Sequence, residues 1–105
     1  LLRLATIYME QERFEDIIAL QSQEPENALT KWMIARSYQE IEDLDKAYQL
    51  YQELLPDLKD NPEFLEQYTY LLRELGYFEE AKVQAEAYLK LVPDDVQMQE
   101  LLETL

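Results

Sequence analysis

Apolar residues return every three or four positions along most of the chain, the period of a helix with one buried face. Leu1, Leu4, Ala5 and Tyr8 form the first such stripe, and Phe14, Ile17 and Ile18 a short second one. Ile34, Ala35, Tyr38 and Ile41 form a third, followed by Leu44, Ala47, Tyr48, Tyr51, Leu54, Leu55 and Leu58. A fifth runs through Leu65, Tyr68, Leu71, Leu72 and Leu75, and a sixth through Phe78, Ala81, Ala85, Tyr88, Leu89 and Val92. Met98, Leu101, Leu102 and Leu105 make the last. Only a few residues separate neighbouring stripes, and links that short require antiparallel helices. Punctuation is sparse: Gly76 is the one glycine, and Pro25, Pro56, Pro62 and Pro93 are the prolines. Many short strands would need more turn residues than this. The pattern predicts an all-α chain of helical hairpins.

The hairpins also repeat. Ala47 and Ala81 lie 34 residues apart, each with a large apolar residue three positions earlier, Leu44 and Phe78. Upstream, Leu4-Ala5 with Tyr8 matches Ile34-Ala35 with Tyr38, offset by 30. Arg13-Phe14-Glu15-Asp16-Ile17-Ile18 then falls in the turn and second helix of the first unit. A helix–turn–helix period of this length is the mark of a stacked repeat array. Small alanines belong where two helices of a hairpin approach closely. Gly76 follows a helix at a point where a left-handed φ lets the chain reverse. Asp60-Asn61 and Asp94-Asp95 are placed to cap the helices that follow them.

These residues resemble the tetratricopeptide repeat family over about residues 1 to 93. The third unit fits best, with Gly76 before the turn, then Phe78, Ala81 and Pro93 at the close. The second fits through Ile34, Ala35, Tyr38, Leu44, Ala47 and Tyr51, but Glu42 stands where the turn glycine belongs and Pro62 falls about three residues late. The first is degenerate, with Ile17 in the alanine slot and a length four residues short. The resemblance implies an α-solenoid wound as a right-handed superhelix in one domain over 1–105. Repeats are expected over about 1–25, 28–60 and 62–93, closed by a capping helix over about 94–105. The chain opens inside an apolar pattern without methionine, so it reads as a fragment of a longer protein.

Charge narrows the partners. With 23 acidic against 9 basic residues the formal net charge is −14. Phosphate backbones and anionic membrane surfaces repel such a chain, so nucleic acid and membrane are not expected partners. No apolar run approaches the ~18 residues of a transmembrane helix. Catalysis would have to proceed without histidine or cysteine, and neither Ser22 nor Ser37 has a base and acid near it in sequence. Asp43-x-Asp45 lacks the further oxygen ligands and the glycine of a calcium loop, and there is no glycine-rich phosphate loop. No catalytic, cofactor-binding or metal-binding residue is assigned, and no cofactor is expected. A cytoplasmic location is a prior alone.

What remains is surface. In the resembled fold the first helix of each unit lines the concave wall of the superhelix. First-helix positions off the core stripe are Arg3, Thr6 and Met9, with Leu2, in unit one. They are Leu29, Trp32, Met33, Arg36 and Gln39 in unit two, and Glu66, Gln67, Tyr70 and Arg73, with Glu74, in unit three. Trp32, Met33 and Arg36 stand within one turn and are residue types enriched at interface hot spots. Trp32 is therefore expected on the groove, partly exposed; the other reading makes it a stacking residue between helices. Relatives in this family that grip acidic C-termini of chaperones line the wall with lysine, asparagine and arginine. The matching slots here hold Leu2, Thr6, Met33, Glu63 and Gln67, so that carboxylate clamp is not built. The expected partner is a protein or peptide segment, neutral or basic, with apolar anchors. The alternative is an architectural slice of a longer solenoid, or self-association through an N-terminal face carrying Leu1, Leu2 and Leu4.

Overall fold

The computed structural model describes residues 1–105, with no strand and no cis peptide bond. Its helices are α1 (Leu2–Glu10), α2 (Phe14–Ala19), α3 (Ala28–Glu40), α4 (Leu44–Leu58), α5 (Pro62–Leu75), α6 (Phe78–Leu91) and α7 (Val96–Thr104), with a 3-10 turn at Leu20–Gln23. Two compact units divide the chain at Pro56–Asp57. That division lies inside α4, where Pro56 offers no N–H to the helical ladder.

In the first unit α1 and α2 form a hairpin, and α3 packs against both. Ala5, Ile17, Ala35, Ala47 and Tyr51 are wholly buried there. In the second, α5 and α6 form the most extensive helix pair and α7 packs on α6. Phe64, Leu71, Leu72, Ala81 and Ala85 are wholly buried in that unit. Phe78 and Ile41 depart from the stripes that the periodicity assigned to the core. Each sits at the mouth of a turn and remains 49% and 43% exposed, respectively.

Side chains cap the helices that begin α3, α5 and α7. Asn27 accepts from the backbone N–H of Leu29, Asn61 from that of Phe64, and Asp95 from that of Met98. Each satisfies a donor that the first turn leaves without an intrahelical partner. Pro62 follows Asn61 at the first helical position, where its missing N–H costs nothing.

The three hairpin turns are built alike. Gly76 has φ +81, and the non-glycine residues Glu42 and Glu12 take the same left-handed conformation at φ 63 and 55. In each, the N–H after the left-handed residue returns to the carbonyl five residues back. These bonds run from Arg13 to Tyr8, Asp43 to Tyr38 and Tyr77 to Leu72, all at 2.9 Å. The left-handed residue itself bonds three back, to Met9, Gln39 and Arg73, at 3.0 Å. This paired closure of a helix end is where glycine is ordinarily found.

Candidate protein-binding faces

The first-helix positions of the first unit lie on α1 and α3. Arg3 is exposed, and Thr6 and Met9 are half-buried. The Thr6 hydroxyl is occupied, donating to the Leu2 carbonyl at 2.8 Å. On α3, Leu29, Trp32, Met33, Arg36 and Gln39 fall on one side at helical spacing. Leu29 is 40% exposed, and Met33, Arg36 and Gln39 are half-buried.

Trp32 is not a free anchor. It is buried, and its indole N–H donates to the Tyr51 hydroxyl on α4 at 3.3 Å. The Arg36 guanidinium lies 5.7 Å from its ring centroid. The expectation of a partly exposed Trp32 is thereby corrected: the α3–α4 pairing needs a large side chain there and supplies it with a polar partner. Burial pushes the Tyr51 hydroxyl up to about 12, against smaller lowering influences from the indole bond and the Arg36 charge. What α3 offers outward is Leu29, the edge of Met33 and the Arg36 head.

In the second unit Glu66 and Gln67 are half-buried while Tyr70 and Arg73 are exposed. Arg73 and Tyr70 pair, with the guanidinium 5.2 Å from the ring centroid. They stand at an open hollow of 410 Å³ between α5 and α7, whose other lining residues are Gln97, Glu100, Leu101 and Thr104. Leu101 is buried and forms an apolar floor. Sequence reasoning assigned α7 to capping and missed this second wall. The spacing Gln97, Glu100–Leu101, Thr104 carried the information, because those positions share one helix face. The start of α7 is tied to α6 by the Tyr88 hydroxyl, which donates to Asp95 Oδ2 at 2.5 Å. That bond, then burial and the Asp95 and Glu66 charges, raises Tyr88 well above the usual tyrosine range. The same bond, with the Met98 and Gln97 N–H groups, lowers Asp95.

Residues 29–95 match the family model of YpiA-like, C-terminal tetratricopeptide repeats. The chain belongs to this tetratricopeptide repeat family. No curated protein matches it. Tetratricopeptide repeats generally mediate protein–protein interactions and are generally non-catalytic scaffolds. The match spans α3 to α6 and starts after the stretch containing the irregular second helix. No helix of the chain is long and apolar enough to cross a membrane.

Proposed function

We propose that this tetratricopeptide chain is a non-catalytic scaffold that binds a protein or peptide segment on its first-helix faces. The observation that carries the reading is the Tyr70–Arg73 pair over the Leu101 floor. An exposed aromatic and an arginine beside an open hollow with an apolar floor combine the residue types that dominate interface energetics. In the first unit the corresponding contribution comes from Leu29, Met33, Arg36 and Gln39, with Arg3, Thr6 and Met9 on α1. Trp32 acts there by holding α3 against α4. The partner is neutral or basic with apolar anchors, drawn by the −14 charge.

Selection of peptides from a displayed random library against the chain tests this reading. Peptides carrying an aliphatic or aromatic anchor are expected, and Tyr70→Ala with Arg73→Ala should weaken them tenfold or more without shifting the melting temperature. Selected peptides bound equally by that double variant would count against the α5–α7 face.

A second reading rests on the exposure of Leu1, Leu4 and Ile7 at 45, 38 and 42% along α1. An apolar strip of this kind fits a further repeat or a second copy of the chain. Light scattering across a hundredfold concentration range should show association that Leu4→Glu with Ile7→Glu abolishes. A strict monomer would set self-association aside.

A further inference from the structure

We propose that the cleft between the Leu20–Gln23 turn and α4 holds an arginine side chain presented by a partner protein. This is a second docking point, independent of the first-helix faces. The cleft encloses 430 Å³. That lies near the small end of ligand cavities, about 300–1,000 Å³, and suits a side chain rather than a folded segment.

Its shape follows from the sequence. α2 has six residues where α4 and α6 have 15 and 14. Pro25 then disfavours the right-handed helical conformation at Glu24, which takes φ 49 and ψ 59. The chain leaves the helix early, and the α3–α4 surface beyond it is lined instead by the 24–26 link. Pro25 and Ile34 are buried and Leu50 is half-buried, giving an apolar floor. Gln21 closes one wall, its side-chain oxygen accepting from the Tyr38 hydroxyl at 2.7 Å.

The rim is acidic. Glu24, Glu26 and Glu53 stand around the cleft against one cation, Lys31. The ion pairs Arg13–Asp16, Lys46–Asp43 and Lys82–Glu79 all lie away from the cleft, and none of them engages a rim carboxylate. An apolar floor beneath these carboxylates is complementary to a side chain with an aliphatic stem and a cationic head. Arginine fits better than lysine. Its flat guanidinium can meet carboxylates through paired N–H groups, and it is more weakly hydrated than an ammonium.

The test uses acetyl-Leu-Arg-Leu-amide and its citrulline counterpart, which keeps the shape and removes the charge. In NMR titrations the arginine peptide should shift the amides of residues 24, 26, 31, 34, 50 and 53. The citrulline peptide should bind at least tenfold more weakly. Glu24→Gln/Glu26→Gln/Glu53→Gln should weaken the arginine peptide at least tenfold, and Glu26→Gln or Glu53→Gln alone severalfold, which keeps the test intact should the triple variant lose stability. Equal binding of the citrulline peptide, undiminished binding by the variants, or shifts gathered at Tyr70 and Arg73 would overturn the proposal.

Discussion

The two units close their hairpins with the same bonds and different residues. In the second, Gly76 takes the left-handed turn, and an added Cβ would meet nothing within 4 Å. In the first, Glu12 and Glu42 take it, and Glu24 adds another left-handed residue at the end of the 3-10 turn. A left-handed residue with a side chain costs roughly 1–2 kcal/mol, so the first unit carries backbone strain that the second avoids. It also buries more polar chemistry: the Trp32–Tyr51 bond, Ser37, and the Thr30 hydroxyl, which is buried without a hydrogen-bond partner. The return of the turn geometry teaches that hairpin closure is dictated by packing on either side. The residue at the turn only sets how much that closure costs.

The largest effect should come from the polar pair at the centre of the first unit. Trp32→Ala removes a buried ring and should cost about 3–5 kcal/mol, read from the denaturant midpoint. As the only tryptophan, it should fluoresce blue-shifted and resist iodide quenching in the free protein. Strong quenching, with folding intact after truncation, would break the assignment of Trp32 to the core.

Alkaline titration separates the units next. An unfolded tyrosine ionises near pH 10, whereas Tyr51 holds its proton to about 12. Its stabilisation is complete below pH 10 and lost as pH rises from 10 to 12. The loss amounts to about 2–3 kcal/mol at 1.36 kcal/mol per unit. Tyr51→Phe should remove that part of the slope and leave the part due to Tyr88. Tyr88→Phe should also blunt the acid side, because Asp95, lowered in the folded protein, contributes stability that is lost as pH falls through its folded value.

Packing provides a third comparison. Ala47 and Ala81 are wholly buried at equivalent places in the two units. Ala81→Leu and Ala47→Leu should each cost roughly 1–3 kcal/mol through overpacking, seen as a lower melting temperature. An unchanged value for either would refute the repeat register at that site. The smallest effect is at the turns. Glu42→Gly should stabilise and Gly76→Ala should destabilise, each by about 1 kcal/mol. Equal and opposite shifts in the thermal midpoint would measure the strain directly.

The architecture was legible because it rests on periodicity. Ala47, Ala81, Gly76 and the caps Asn61 and Asp95 occupy the positions their chemistry predicts. Exposure was harder to read, since it depends on which neighbour a helix meets. Trp32 lies off the main apolar stripe of α3, yet Tyr51 of the next helix covers it. Phe78 and Ile41 lie on their stripes, yet the turn beside each leaves it uncovered. The hollow between α5 and α7 joins two segments far apart in the chain, and one-dimensional spacing does not pair them. The cleft over Pro25 and Ile34 arises from turns that α2 lacks, and a stripe analysis does not register absent residues.

The left-handed glutamates bear on how such a chain can change over generations. Each glutamate codon is one base from a glycine codon, so the turns at Glu12 and Glu42 are each a single nucleotide step from glycine. Because the bonds around the turn are already those that glycine accepts, the step toward glycine meets no structural barrier. The step away from it sacrifices a little stability and adds a negative charge at an exposed corner. Surface charge in this molecule can therefore be adjusted at its turns, one substitution at a time, without disturbing the stacking of its helices.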